Sequence, residues 1–180
     1  MIYHQKSSER EVIITKTSDG KIKKEVYCFS PYMFGKSLKL RLTAFSHFLN
    51  WIKANPVPGL VTIYDSSANL SENYYSYIME ELKELNRSEE NLVDDYYKYH
   101  NGDLPKKEER EYNSLIKRHY KLYCFLEENS GLYDDIHGGN IGISKDGNYK
   151  FMDLEGSSWD FDAKQDAIWV KFKNKIIFQG

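Results

Sequence analysis

The stretch Asp134–Gly156 constrains the fold most, because it holds a hairpin signal between polar residues. Asp146-Gly147 is typical of a two-residue type I′ turn, since Gly tolerates positive φ and Asp tolerates the left-handed region. Such a turn would place Asn140 directly opposite Asp153. Opposed side chains have Cβ atoms about 4.5–5.5 Å apart. One oxygen ligand from each could therefore share a Mg²⁺ ion.

A further carboxylate lies upstream, because Asp135 precedes Asn140 by five positions. The order Asp-x-x-x-x-Asn, strand, turn, strand, Asp resembles the catalytic and metal-binding segment of the protein-kinase-like superfamily. His137, two residues after the Asp, is more similar to aminoglycoside phosphotransferases and to the small kinases of lytic podophages. The resemblance implies Asp135 as catalytic base and Asn140 and Asp153 as metal ligands. Leu154-Glu155-Gly156 matches the family motif only approximately, and the alternative is a surface hairpin with acidic flanks.

The N-terminal part predicts about one hairpin, formed by strands at Glu11–Lys16 and Ile22–Ser30 around Asp19-Gly20. The N-lobe of a full kinase opens with three strands, a Gly-rich loop over the phosphates and a lysine on the third strand. No G-x-G-x-x-G occurs in this chain. Aligned on the residues that follow, Val26–Ser30 would be the third strand, and its interior contains no lysine.

The lysine that contacts phosphate must then come from elsewhere. Lys24 is the first candidate and Lys36 the second, while Lys16 and Lys23 are further substitutes. The alternative for each of them is an ordinary solvated charge.

Ser37–Ala54 is predicted to be a helix that matches the kinase αC helix in position. Its apolar residues recur at four-three spacing and form one stripe, which consists of Leu38, Leu42, Phe45, Leu49 and Ile52. This segment contains no Asp or Glu, although the αC helix of active protein kinases supplies a Glu that pairs with the third-strand lysine.

Pro58–Asp65 predicts a turn followed by a strand, Asn73–Met79 predicts another strand, and Glu80–Leu85 predicts the beginning of a helix. Tyr77–Leu82 resembles a kinase hinge, whose backbone contacts adenine. Glu80 and Leu82 are therefore the candidate nucleotide-binding residues of this segment. The alternative is an ordinary junction between a strand and a helix.

Two more helices are predicted, a short one at Ser88–His100 and a long one at Lys106–Asn129, with a break at Asn101–Pro105 between them. The long helix matches kinase αE. Its apolar face comprises Tyr112, Leu115, Ile116, His119, Leu122, Tyr123 and Leu126. His119 on that face is interpreted as a core residue rather than a metal ligand.

A chain of 180 residues predicts one domain. The resemblance implies that this domain is a minimal α+β protein-kinase-like two-lobe fold. Residues 1–79 would form a small β-rich N-lobe, and residues 80–180 the hinge and a helical C-lobe. Only 24 residues follow Gly156, too few for an activation segment and a full helical C-lobe. This apolar tail is expected to fold back on the core.

Composition excludes several classes of function. A net charge of −2 gives no basic field for nucleic acid, and no apolar run approaches the roughly 20 residues of a membrane span. Cys28 and Cys124 form no C-x-x-C pattern, so a reduced, cytoplasmic protein is expected, in the host cytoplasm if a phage encodes it.

The resemblance implies a Mg²⁺- and ATP-dependent phosphotransferase that acts on a hydroxyl, with a protein as the favoured acceptor. One alternative is a degenerate kinase fold that binds a protein, for example a host enzyme, and it is favoured by the missing Gly-rich loop, lysine and αC Glu. A second alternative is a small-molecule phosphotransferase, which depends on His137 and on the missing activation segment.

Overall fold

The computed structural model describes residues 3–30, 32–33, 36–130 and 136–154. Within these ranges the chain is a mixed α+β structure of ten strands and four helices. It divides into two compact units. The first contains the described residues up to Val57 and Val61–Glu81, and the second contains Pro58–Leu60 and the described residues from Leu82 to Leu154. The predicted lobe boundary after residue 79 lies two residues before the change of unit at Glu81.

The first unit is built on an antiparallel five-stranded sheet in the order β1-β2-β3-β7-β6. A separate pair of two-residue strands, β4 and β5, precedes the first helix. The strands are β1 (Tyr3–Lys6), β2 (Arg10–Lys16), β3 (Ile22–Cys28), β4 (Tyr32–Met33), β5 (Lys36–Ser37), β6 (Ile63–Asn69) and β7 (Tyr74–Met79).

The predicted hairpin is confirmed by the pairing of β2 with β3, but β1 adds a third antiparallel strand that was not predicted. All four residues of β1 are exposed, so the strand lacks the apolar alternation that would have indicated it. Polar contacts hold it instead. On β2, Glu11 Oε2 accepts a hydrogen bond from Lys6 Nζ at 3.3 Å, and Glu11 Oε1 lies 2.8 Å from His4 Nε2.

Helix α1 (Leu38–Ala54) confirms the predicted helix. All five residues of the predicted apolar stripe are buried. The ring of Phe45 meets Tyr75 edge-on, with centroids 5.0 Å apart, and Tyr77 with centroids 6.3 Å apart. The helix therefore covers the face of the sheet on which these β7 side chains lie.

The second unit contains three helices and an antiparallel sheet in the order β10-β9-β8. None of the helices in the described ranges is long and apolar enough to cross a membrane. The elements are β8 (Lys83–Glu84), α2 (Arg87–His100), α3 (Glu109–Arg118), α4 (Tyr120–Asn129), β9 (Ile141–Ile143) and β10 (Tyr149–Phe151).

The predicted helix start at Glu80–Leu85 is wrong, because α2 begins only at Arg87. Asn86 is the N-cap, and its side chain accepts the backbone N–H groups of Ser88 and Glu89. Glu89 returns the contact by accepting the Asn86 N–H at 2.9 Å, which completes a capping box. Lys83 and Glu84, before this cap, are free to join a sheet.

The predicted helix Lys106–Asn129 is two helices, because the backbone of His119 leaves helical geometry at φ −119° and ψ 43°. Its ring Nε2 lies 2.8 Å from Ser88 Oγ on α2. His119 is half-buried and hydrogen-bonded within the protein. The predicted apolar positions Tyr112, Leu115, Leu122 and Leu126 are buried on both sides of the break.

Pro58–Leu60 contributes to the second unit although it precedes β6. Gly59 accepts a hydrogen bond from the Phe151 N–H at 2.9 Å, and Leu60 forms a parallel bridge with Phe151. Gly59 has φ +84°, and a Cβ there would lie 2.7 Å from Asn129 Oδ1. Glycine is required at this position both by backbone conformation and by the close approach of α4.

Candidate functional site

The hairpin predicted to carry the site exists, but its turn is longer by one residue. Ile143 pairs with Tyr149, and the Ser144 N–H donates to the Asn148 carbonyl at 2.9 Å. Lys145 to Gly147 form the connection, and Gly147 has φ 78°. A turn of this kind, with a left-handed Gly in the last position, is the common three-residue hairpin loop. The predicted two-residue type I′ turn is wrong.

Side chains inside the loop explain the difference. The Ser144 hydroxyl donates to the Asp146 carboxylate and accepts the Asn148 N–H at 3.1 Å. The side-chain amide of Asn148 also donates to the Asp146 carboxylate, at 2.8 Å. The hydrogen bond from Ser144 holds the pKa of the Asp146 carboxyl below its usual range. The polar groups of the loop thus form hydrogen bonds with one another, and these bonds favour the longer turn.

The pairing of Asn140 with Asp153 is therefore also wrong. Asn140 is level with Met152, whose N–H donates to the Asn140 carbonyl at 2.9 Å. Asp153 lies one residue further along, beyond the end of β10. A shift of one residue reverses the side-chain directions within a ladder. The convergence of Asn140 and Asp153 on one ion thus remains a prediction, and the register no longer implies it.

Asn140 nevertheless has a rigidly held backbone. It ends a 3₁₀ turn at Gly138–Asn140, and its N–H donates to the His137 carbonyl at 3.0 Å. Its carbonyl accepts from Met152, so both of its backbone polar groups are bonded. Its side chain is 5% exposed, whereas Asp153 is half-buried.

The predicted catalytic base, Asp135, lies outside the described residues, as do residues 131–134. His137, two residues after Asp135, is described, and its side chain is exposed. The motif is thus described from Ile136 onward, and the role of Asp135 remains a prediction.

The turn before Asn140 lies directly on helix α2. Gly138 is buried, and a Cβ at this position would lie 2.9 Å from both Cβ and Cγ of Glu90. The Gly138 N–H donates to Asp94 Oδ1 at 3.2 Å. Sequence reasoning did not identify Asp94. Its position in the acidic run before the tyrosines was the available signal.

A second contact ties α2 to the hairpin. Glu89 is 7% exposed, and its Oε1 accepts the Tyr149 hydroxyl of β10 at 2.8 Å. Its Oε2 accepts from the side chain and the backbone of Asn86. Burial raises the pKa of the Tyr149 hydroxyl, and the bond to Glu89 raises it further. The N-terminal cap of α2 and the second hairpin strand are thus joined through one buried carboxylate.

Lys24 occupies the centre of β3, the third strand of the opening sheet. The expectation that the third strand contains no lysine is wrong, because that strand is Ile22–Cys28 rather than Val26–Ser30. Lys24 pairs with Ile14 and Tyr77 and is 6% exposed. Its Nζ lies 5.9 Å from the centroid of the Tyr77 ring. The side chain of Lys36, the second candidate, lies outside the described part of the chain.

The proposed hinge residues have different surroundings. The Glu80 N–H donates to the Thr62 carbonyl at 3.1 Å, and the Glu80 carboxylate accepts the Thr62 N–H at 2.7 Å. Glu80 thus prolongs the pairing between the two strands beyond Met79. Leu82 is half-buried and packs on the backbone of Gly142, where a Cβ would lie 2.6 Å from the Leu82 Cβ.

The chemistry of the predicted ligands fits magnesium. Among the described residues, no three side chains of His, Cys, Asp or Glu form a group that could hold a metal ion. Asn140 and Asp153 supply one amide and one carboxylate oxygen. Mg²⁺ is usually bound by one or two carboxylates with waters and substrate phosphates rather than by a complete protein cage.

Comparison with known proteins gives no assignment. No protein-family model matches the chain, and no curated protein matches it.

Proposed function

We propose that this chain is a Mg²⁺- and ATP-dependent phosphotransferase that acts on a hydroxyl group, with a protein as the favoured acceptor. Asp135 orients and deprotonates the acceptor hydroxyl, and Asn140 and Asp153 hold the metal. Lys24 contacts phosphate, and the backbone near Glu80 and Leu82 contacts adenine. Bound Mg²⁺ supplies the positive charge that neutralises the transferring phosphoryl group.

The burial of Lys24 on the third strand carries this proposal. Lysine is almost never fully buried unless its charge is used or compensated. The resemblance implies a phosphate-binding lysine on the third strand, and its apparent absence was one of three arguments against an enzyme, beside the missing Gly-rich loop and αC Glu. The observed β3 contains Lys24 at its centre, which removes that argument.

The order of elements gives further support. Three antiparallel strands are followed by the short pair β4 and β5, by helix α1, by the pair β6 and β7, and then by a mainly helical unit that carries the hairpin. This is the order that the resemblance implies for an N-lobe, a hinge and a C-lobe.

The proposal predicts that Asp135→Asn abolishes phosphoryl transfer, because the variant lacks the base but keeps the volume of the side chain. Loss of a general base typically lowers turnover about 10²–10⁴-fold. The measurement is transfer of labelled phosphate from ATP to casein, with phosphate release to water measured in parallel.

Asp134→Asn is the matched control, since it removes the same charge from the neighbouring position. It should retain most of the wild-type rate. Wild-type turnover in Asp135→Asn would show that the assigned role is wrong.

A degenerate kinase fold that binds a protein is the second candidate, and α1 is the observation that favours it. This helix contains no Asp or Glu, so it cannot supply the carboxylate that pairs with the lysine in active protein kinases. The two candidates differ in nucleotide binding, which only the enzyme requires.

A further inference from the structure

The loop that leads into Asn140 is held by helix α2 at two positions one helical turn apart. Glu90 packs against Gly138, and Asp94 accepts the Gly138 N–H at 3.2 Å. Residues four apart lie on the same face of a helix. One face of α2 therefore supplies both the surface on which the turn rests and the acceptor that fixes it.

The bond to Asp94 satisfies a donor that the turn itself does not bond. The turn closes through a hydrogen bond from the Asn140 N–H to the His137 carbonyl. Gly138 lies within this turn, and the turn offers no acceptor for its N–H. Gly138 is buried, and a buried N–H without an acceptor is costly. The Asp94 carboxylate supplies that acceptor. Removing it would let this turn, and with it the backbone of Asn140, adopt other conformations.

We infer that Asp94 is a positioning residue for the candidate metal ligand Asn140, acting through its hydrogen bond to Gly138 N–H. This inference rests on the proposed function. Partners that orient metal ligands from outside typically change metal affinity or activity about 10–100-fold when they are removed. Asp94 acts here as an acceptor, so an uncharged acceptor should serve in its place.

The test compares Asp94→Ala, which removes the acceptor, with Asp94→Asn, which keeps an oxygen at the same distance along the side chain. Asp95→Ala is the matched control, because Asp95 is the next residue on α2 and pairs with Lys98 at 3.2 Å. Two quantities are measured: exchange of the Gly138 amide hydrogen by NMR, and the Mg²⁺ concentration that gives half-maximal phosphoryl transfer to casein.

Asp94→Ala should accelerate exchange at Gly138 about tenfold or more and raise the half-maximal Mg²⁺ concentration about 10–100-fold. Asp94→Asn should keep the exchange rate and the half-maximal Mg²⁺ concentration within about threefold of the wild-type values. If Asp94→Ala acted only by lowering general stability, Asp94→Asn would not give this rescue. Asp95→Ala should leave both unchanged.

Unchanged exchange at Gly138 in Asp94→Ala would overturn the inference. An Asp94→Asn variant with normal exchange but the Mg²⁺ dependence of Asp94→Ala would also overturn it, because Asp94 would then act through its charge. If the wild-type protein transfers no phosphate, the proposed function fails. The exchange measurement still decides in that case whether Asp94 fixes the turn.

Discussion

At the scale of single residues, two neighbouring lysines of β3 lie on opposite faces of the sheet. Lys24 points to the face covered by α1, while its neighbour Lys23 lies on the other face and pairs with Glu25 at 2.8 Å. Glu25 also accepts the Tyr74 hydroxyl, at 2.9 Å. The bond from Lys23 holds the pKa of the Glu25 carboxyl below its usual range. Neighbouring charged residues on this strand thus lie in different surroundings.

The Glu25 cluster predicts a pH-dependent effect of Glu25→Gln on thermal stability. Since the folded pKa lies below the unfolded value of about 4.3, the stabilisation is complete above that value and is lost as pH falls through the folded pKa. Glu25→Gln should lower the melting temperature near pH 6 by the equivalent of about 0.2–1 kcal/mol. The two proteins should converge as the pH falls through the folded pKa of Glu25.

Glu9→Gln is the control for that comparison, because its side chain is exposed. It should melt like the wild type throughout. A difference between Glu25→Gln and wild type that persists unchanged at low pH would contradict the prediction.

The placement of Lys24 could have been predicted from the sequence. Ile22, Val26 and Cys28 alternate with polar residues, and the same period of two puts Lys24 on their side of the strand. The alignment on the following helix obscured this, because it assumed that the third strand begins at Val26. The half-buried acceptor Asp94 could not have been predicted in this way, because its partner is 44 residues away in the chain.

At the scale of elements, α2 is the support on which the hairpin and its entry turn are built. It contacts the turn at Gly138 and β10 at Tyr149. The close approach at Gly138 leaves no room for a side chain, since even the Glu90 Cα would lie 3.0 Å from an added Cβ. The fit between this helix and the turn therefore depends on the missing Cβ.

Gly138→Ala should lower the free energy of unfolding by about 1–3 kcal/mol, as is typical of overpacking in a filled site. Gly139→Ala is the matched control, because its Cβ would meet only the ring of the exposed His137, at 3.1 Å. This contact is longer than that at Gly138 and involves no backbone atom, so a small shift accommodates the added methyl group. Urea denaturation of both variants measures the difference, and equal stabilities would contradict the proposed fit.

Elements with a clear period were predicted, and their junctions were not. The stripe of α1 and the alternation of β3 come from local patterns that packing then uses. The ends of elements depend on side-chain bonds that such patterns do not show. Asn86 with Glu89 delays the start of α2, His119 contacts Ser88 where α3 ends, and Ser144 with Asp146 lengthens the hairpin loop. Because the hairpin loop is one residue longer than predicted, the predicted register of Asn140 with Asp153 is wrong.

At the scale of the whole molecule, nucleotide binding separates the two proposed functions. No G-x-G-x-x-G is available to hold phosphates, so Mg²⁺ and Lys24 must supply the positive charge. We therefore predict weak, Mg²⁺-dependent ATP binding. Ligand at ten times Kd stabilises by about 1.4 kcal/mol, which corresponds to a rise of roughly 3–6 °C in melting temperature for a chain of this size.

Thermal melts at millimolar ATP, with and without Mg²⁺, test this prediction. Asp153→Asn should abolish the shift, Lys24→Ala should reduce it, and Lys23→Ala should leave it unchanged. The absence of any shift in the wild-type protein would favour the degenerate binding module. A shift that persists without Mg²⁺ would show that protein cations alone hold the nucleotide.

Pro58–Leu60 also determines the order in which the chain can fold as it is made. These residues leave the ribosome before β6 and β7, yet the Phe151 N–H that bonds to Gly59 follows much later. The second unit thus begins, is interrupted by two strands of the first, and then resumes. A gene divided after Glu81 would leave Gly59 and Phe151 on different polypeptides. No single cut between Leu60 and Phe151 can therefore yield two self-sufficient fragments.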